Sequence, residues 1–505
     1  MSMRRLLCLA ALLCAALPTF AATFVVTNTL DAGAGSLRQA LLDANVSNGT
    51  DHVTFAIAAA SKTITLSTEL PVITDSIVID GTTQPGYAGA PVVELDGSQL
   101  TDAVVQFGLI LEAPDSVIRG LVINSFNRGE CCITSSAAIY VRKGGHNTIA
   151  GNYIGTDVTG TQARGNDIGI IVESGGNTIG GATAADRNVI SGNDYDAVYM
   201  PYRQGSDGGN RVIGNYLDVD ATGEAALHGA FSNFTVNAGA PKTIVANNLA
   251  HGGPVLFGES SVARDNVIGR SATGAPLPDG FGMVLGGRDV LAEGNFVGHG
   301  WGEGIIVQDG DGIVVRNNVL LDTQNAAIVL VSGQKRGSNG SRNNEIANNT
   351  IVDAGQRGGG DGIRVIVSDL RNDRATLRGN RITHSYDLAI DLGDDGVTLN
   401  DANDADEGAN ALQNFPVITS ATATSVTATL SSRHSSSFVI ELFKGEACGD
   451  AAASLGTYVV RTDRNGNAQL SASLADPLVA GQSVSATATD SVGNTSELSA
   501  CFIVP

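Results

Sequence analysis

From Val72 onward hydrophobic positions come in short aliphatic runs closed by Gly, Asn or Asp: Ile77-Val78-Ile79-Asp80-Gly81, Val92-Val93-Glu94-Leu95-Asp96-Gly97, Val117-Ile118-Arg119-Gly120-Leu121-Val122-Ile123. Runs this short and this regular carry no helical periodicity and predict stacked β-strands. One column recurs through them: an aliphatic residue, then three positions on an Asn. It reads Asn152, Asn193, Asn215, Asn247, Asn295, Asn318, Asn349 and Asn380. Its spacing predicts a solenoid coil of about 22 residues, sometimes lengthened by a loop. Stacked amides one rung apart can bond along the axis as a ladder, and Asn tolerates the left-handed bend of a coil corner. A second column, Asp167, Asp196, Glu303, Asn325, Asp361 and Asp387, precedes aliphatic residues and marks further corners.

The longest repeat aligns Asn152-Tyr153-Ile154-Gly155-Thr156-Asp157 with Asn215-Tyr216-Leu217-Asp218-Val219-Asp220, each followed by a Thr-Gly turn. Asp157 and Asp220 are expected to act as formers of stacked loops. Residues 72–413 would then build roughly a dozen coils, which at ~4.8 Å per rung is a rod of about 60 Å. Propeller repeats would be about twice as long, and no leucine-rich consensus is present.

Before the repeats, Ser36-Leu37-Arg38-Gln39 has the form of a capping box, and Leu37, Ala40, Leu41 and Ala44 make one apolar helical stripe. A helix here, within residues 22–71, would cover the open first coil. Residues 1–21, with Arg4 and Arg5, an apolar run and small residues near Ala21-Ala22, predict a cleaved signal peptide and export. After Leu412 the pattern changes to alternating strands, and residues 414–505 predict an immunoglobulin-like β-sandwich. The expected fold is all-β: a right-handed parallel β-helix with an N-terminal helical cap and a C-terminal sandwich.

Composition narrows the function classes. The formal charge of −21 argues against nucleic acid as a partner, and no apolar run after the signal is long enough to span a bilayer. One Trp, nine Tyr and fourteen Phe argue against broad stacking platforms for sugars. Cys448 and Cys501 are expected to pair in an oxidising compartment, while adjacent Cys131 and Cys132 fit two half-buried thiols or a strained bridge.

Gly35-Ser36-Leu37-Arg38-Gln39-Ala40-Leu41, Ile79-Asp80-Gly81-Thr82-Thr83-Gln84-Pro85-Gly86-Tyr87, the Asn-Tyr-Ile-Gly-Thr-Asp repeat and Asn188-Val189-Ile190-Ser191-Gly192-Asn193 together resemble bacterial secreted right-handed parallel β-helix proteins of the pectate-lyase-like superfamily. The resemblance spans most of the mature chain. It implies a polysaccharide or cell-surface glycan as partner and a monomer, and it leaves open polysaccharide lyase, glycoside hydrolase or non-catalytic adhesin. Gly298-His299-Gly300 resembles one motif of the β-helix polygalacturonases, whose other motifs are missing.

Two candidate sites follow. His299 with Glu303, Asp309 and Asp311 offers an imidazole and carboxylates for acid-base work on a glycosidic bond, and Arg364 projects from a sheet face where a lyase would neutralise an acidic sugar. Asp394, Asp395, Asp401, Asn403, Asp404 and Asp406, beside Glu407, offer hard oxygen ligands suited to Ca²⁺ at the junction with the last domain.

Overall fold

The computed structural model describes residues 21–100, 105–127, 136–203, 207–229, 231, 234–332, 340–356, 359–367 and 372–505. Most of the signal segment, Cys131-Cys132, Lys335-Arg336 and Arg357 lie outside the described residues. No helix among the described residues is long and apolar enough to cross a membrane.

Three long parallel sheets run the length of a β-helix, with 13, 12 and 13 strands. Each coil visits the first sheet, the second and then the third. The first sheet begins at Thr23–Val26 and ends at Thr376–Arg378, and the third ends at Ile390–Leu392. Inward positions repeat in register, so Ile118, Ile149, Ile179, Val212 and Val245 stack as one fully buried column. Each such side chain contributes roughly 1.5–3 kcal/mol by leaving water, which is why short strands with little propensity of their own hold together.

The Asn ladder exists, with a composition that corrects the sequence reading. It runs Asn152, Asn188, Asn215, Asn248, Asn266, Asn295, Asn318, Asn349, Asn380 at the corner between the first and second sheets. Each Oδ1 accepts both the backbone N–H and the side-chain amide of the Asn one coil earlier, as Asn349 does for Asn318 at 3.0 Å each. Asn193 belongs instead to a different corner, where it accepts from Asn166. Asn247 sits one position before the ladder, in the left-handed region at φ 56, as do Asn317 and Asn348 before their ladder partners. The coils step by 18 to 39 residues, most of them longer than the expected unit of about 22.

The repeated loops form antiparallel turns, Thr156 to Ala163 and Val219 to Ala226, and a third at Arg270 to Pro276 continues the series. Asp157 Oδ1 accepts from Thr159 Oγ1 at 2.7 Å, and Asp220 Oδ1 from Thr222 Oγ1 at 2.7 Å. The loops stack through Ala221 N–H to Gly160 O and Ala272 N–H to Gly223 O.

At the N-terminal end, helix α1 (Leu37–Ala44) buries Leu37, Ala40, Leu41 and Ala44 against the first coils. Ser36 Oγ accepts from Gln39 N–H at 3.2 Å. The reciprocal half of the box is absent, because the Gln39 amide turns to Asp43 instead.

At the other end a sandwich of a three-stranded and a four-stranded antiparallel sheet (Val417–Ala421 through Phe502–Ile503) packs on the rod, and Cys448 is bonded to Cys501. It takes up the free N–H groups of the last coil in all three sheets. Thr495 Oγ1 accepts from Leu377 N–H, Glu441 from Gly379 N–H, Ala451 bridges Ile382, and Glu497 accepts from Leu392 N–H. An open edge of a parallel sheet invites pairing with another chain, and here the sandwich closes it.

Candidate functional site

The sequence-derived acid-base set is not brought together. His299, at φ +57 in the turn before the third sheet, places Nδ1 3.2 Å from Asp322 Oδ2. The strand Trp301–Asp311 starts two residues later, with Glu303 near its beginning, 3.4 Å from the Asn325 amide. Asp309 and Asp311 lie at its far end, where Asp311 accepts from Asn343 at 2.9 Å. At about 3.3 Å per extended residue, the two ends are far beyond hydrogen-bonding reach of each other. Arg364 does project outward from the third sheet, but Asp361 at 2.7 Å and Asp394 at 3.0 Å hold its guanidinium.

The junction acids divide. Asp401, Asp404 and Asp406 bring carboxylate oxygens within 4.8 Å of one another. Asp404 is buried and accepts from Asn414 N–H and Ser432 Oγ, while Asp406 Oδ1 is buried without a partner. Burial, with repulsion from Asp401, raises the Asp406 pKa, and burial also raises that of Asp404. An all-oxygen donor set with one orphaned oxygen fits a hard cation such as Ca²⁺. Asp394 is taken by Arg364, and Asp395 lies outside the trio.

A different cluster stands out on the outer face of the third sheet. Outward positions of a parallel β-helix ordinarily meet water, yet two adjacent outward columns here are, apart from Asn237, apolar or aromatic. One runs Ile110, Tyr140, Ile171, Tyr199, Asn237, Val255 in register. The other begins Phe107, Ala137, Ile168. Tyr195, Tyr199, Tyr140 and Phe107 pack on buried Ala137, Ile168 and Ile171. Phe107 and Tyr140 lie 4.9 Å apart, and Phe231 stacks on Tyr195 at 5.4 Å and 19°. Farther along the same edge, Phe234 meets Phe281 at 5.7 Å, and Phe281 is registered with Trp301, which is 54% exposed. Eight of the chain's 24 aromatic residues lie along this edge.

Asp196 stands within this stripe. It follows Tyr195 at the corner that leads into the strand Val198–Met200. Burial pushes its carboxyl up to about 7, and a hydrogen bond from Asn237 offsets only part of that. Beside it, Asp194 is held by the Asn127 amide, and Asp194 O receives Phe231 N–H, fixing the loop that carries Phe231. Tyr140, hydrogen-bonded to Glu173 and partly buried, is pushed up to about 12, and Glu173 is paired with Arg203. The arrangement offers ring faces for an apolar sugar surface and one carboxyl that holds its proton near neutral pH.

A sequence signal for this site existed. Phe107–Leu111, Ala137–Val141 and Ile168–Val172 are uninterrupted apolar runs, the mark of strands covered on both faces.

No protein-family model matches the chain, and no curated protein matches it in sequence. Solved structures do. A mannuronic acid specific polysaccharide family 6 lyase from human gut microbiota is 12% identical, with 72% of this chain and 82% of that one covered and a TM-score of 0.44. An alginate lyase in complex with G6 is 12% identical over 74% of this chain and 88% of that one, at 0.38. Full-length tailspike protein 2 from an Escherichia coli O157:H7 bacteriophage is 10% identical over 93% and 66%, at 0.33. At this distance the likeness is one of architecture alone.

Proposed function

We propose that this is an exported, monomeric β-helix protein that binds a polysaccharide along the outer face of its third sheet and cleaves it there, with Asp196 as the proton donor. The observation that carries this is the place of Asp196 inside a row of outward aromatic rings, where burial pushes its carboxyl up to about 7. Tyr140 and Tyr199 stand two rungs apart, about 9.6 Å, with Ile171 between them, so an extended chain lying parallel to the axis meets ring and aliphatic surface in turn. Asp196 would deliver its proton to the bridging oxygen as the glycosidic bond breaks, and water would complete the cleaved sugar end and return a proton. Asp401, Asp404 and Asp406 would hold Ca²⁺, whose charge would relieve their mutual repulsion at the junction. Export is supported by the leader-like start and by the Cys448–Cys501 bond.

The test is a screen of the purified protein on neutral and acidic polysaccharides, following new reducing ends and unsaturated products. The parent is expected to cleave one class and D196N to lose at least 100-fold in kcat while still binding. Y199A should instead weaken binding. Full activity in D196N would overturn the role of Asp196. Glycan binding without any turnover in the parent would favour the second reading, a non-catalytic surface adhesin, which the separation of His299, Asp311 and Arg364 also favours.

A further inference from the structure

The N-terminal end of the rod holds a buried carboxylate that its own strands leave half satisfied. Asp51 opens the strand Asp51–Phe55, whose inward positions Asp51, Val53 and Phe55 are all buried. In the next coil Asp51 is registered with Ile77 and Val53 with Ile79, so an acid heads an otherwise apolar column. Its Oδ1 accepts from the backbone N–H of Ala22 at 2.7 Å and from Ser47 Oγ, just past the end of α1, at 3.3 Å. Its Oδ2 is buried and has no hydrogen-bond partner among the described residues. A carboxylate in that position is costly unless a cation or further donors reach it.

The nitrogen that faces this carboxylate is the one that export would set free. Cleavage after Ala21 leaves Thr19 and Ala21 at the two small-residue positions, whereas cleavage one bond later would put Phe20 at the first of them. Ala21 is exposed and Ala22 half-buried, and the Ala22 carbonyl already accepts from His52 N–H at 2.8 Å, so the chain enters the rod at Ala22 itself. Hydrolysis of the Ala21–Ala22 bond adds one water and leaves a carboxylate on Ala21 and an ammonium on Ala22, which is charged at neutral pH. One N–H donor becomes three at a nitrogen 2.7 Å from Asp51 Oδ1, and a charge-assisted bond replaces a neutral donor.

We propose that removal of the leader at the Ala21–Ala22 bond creates an ion pair between the new Ala22 ammonium and buried Asp51, and that this pair locks the N-terminal cap onto the rod. The ammonium spans both carboxylate oxygens, and Ser47 keeps its contact from the helix side. Asn45, bonded to Val72 O and Thr74 N–H, ties the same turn to the chain ahead of the next coil. The unprocessed chain offers one neutral donor where the processed chain offers three and a charge, so the cap closes fully only after processing. This rests on the export proposed above and on neither Asp196 nor any glycan.

Two arms test it. The first is N-terminal sequencing of the chain secreted by cells that express it with its leader, and Ala22 is the expected first residue. The second needs no export: chains beginning at Ala22, or carrying one added Gly before it, are released from a tag by a protease that leaves no residue behind, each as parent and as D51N. Hydrogen exchange is followed over residues 51–55. In the parent the added Gly is expected to speed exchange there at least about tenfold, and in D51N it should make no further difference. Exchange in the sandwich strand Ser483–Asp490 should be the same in all four proteins.

Equal exchange with and without the Gly in the parent overturns the ion pair, as does a Gly effect of the same size in D51N. A secreted chain that starts at any other residue overturns the assigned bond. A chain that keeps its leader overturns export and processing together, while the second arm still decides the pair. Should D51N fail to fold, acetylation of the Ala22 amine in the parent serves in its place. It removes the charge and is expected to speed exchange as the added Gly does; unchanged exchange overturns the pair.

Discussion

Asp196 shows what one side chain costs the fold in exchange for chemistry. Its carboxyl titrates near 7 in the folded chain, against 3.8 for the free group, because burial disfavours the charge. The folded state therefore binds this proton more tightly than the unfolded chain does. Stability is greatest below the ordinary carboxylate value and is lost as pH rises through about 7. Removing the charge in D196N should leave stability at pH 4 unchanged and raise it at pH 8 by on the order of 3 kcal/mol, read from urea unfolding at the two values. An identical loss in parent and variant between those pH values would assign the titration elsewhere. At this scale the sequence misled by type and proximity: His299, Glu303, Asp309 and Asp311 are close in number, but an extended strand carries the last two away. Asp196 and Asn237 are 41 positions apart in the chain and meet only because consecutive coils stack.

Elements of this fold are stabilised at their corners as much as in their strands. Asn318 accepts from the backbone N–H and the side chain of Asn295, and donates to Asn349 and to Ala292 O. Truncation in N318A leaves a buried N–H and a carbonyl without partners, and a loss of roughly 2–4 kcal/mol is expected. The neighbouring N317G, at φ 56 and off the ladder, should change stability by only a few tenths of a kcal/mol. Equal denaturation midpoints for the two variants would show the ladder to be energetically idle. The existence of the ladder was legible in the recurring Asn, and so was the apolar face of α1. Its membership was not. Asn247 and Asn248 are adjacent and only the second enters the ladder, a choice set by which of them takes the left-handed bend.

At the scale of the whole molecule, a rod made of identical edges must end, and it ends differently at its two extremities. The N-terminal end is covered by an amphipathic helix, the C-terminal end by sandwich side chains that accept the last rung's N–H groups. Glu497 is the most exposed to cost there: it is buried, accepts from Leu392 and Thr398 N–H, and is pushed up to about 7 by burial. The Asp401, Asp404 and Asp406 trio lies in the same junction, and a cation bound only by the folded form would stabilise it. Calcium at 100 times its dissociation constant would add about 2.7 kcal/mol. The melting temperature is therefore expected to rise with calcium and fall with chelator, with the response abolished in D406N and weakened at acid pH as the raised carboxyls protonate. A melting curve indifferent to calcium at pH 7.5 would count against the site.

The sequence alone was enough for the architecture, because a β-helix is a local code written many times: alternation sets which face is buried, and Gly, Asn and Asp set where each coil turns. It was also enough for the helix stripe and the Cys448–Cys501 pairing. The tertiary structure alone decided coil register, the order of the ladder, the dispersal of the His299 set, the convergence of Asp401, Asp404 and Asp406, and the aromatic stripe around Asp196. The physical reason is that strand neighbours along the axis are 18 to 39 residues apart in the chain. A shift of one residue in a single coil would turn a column from outside to inside, and that register is chosen by packing between coils rather than by any stretch read on its own.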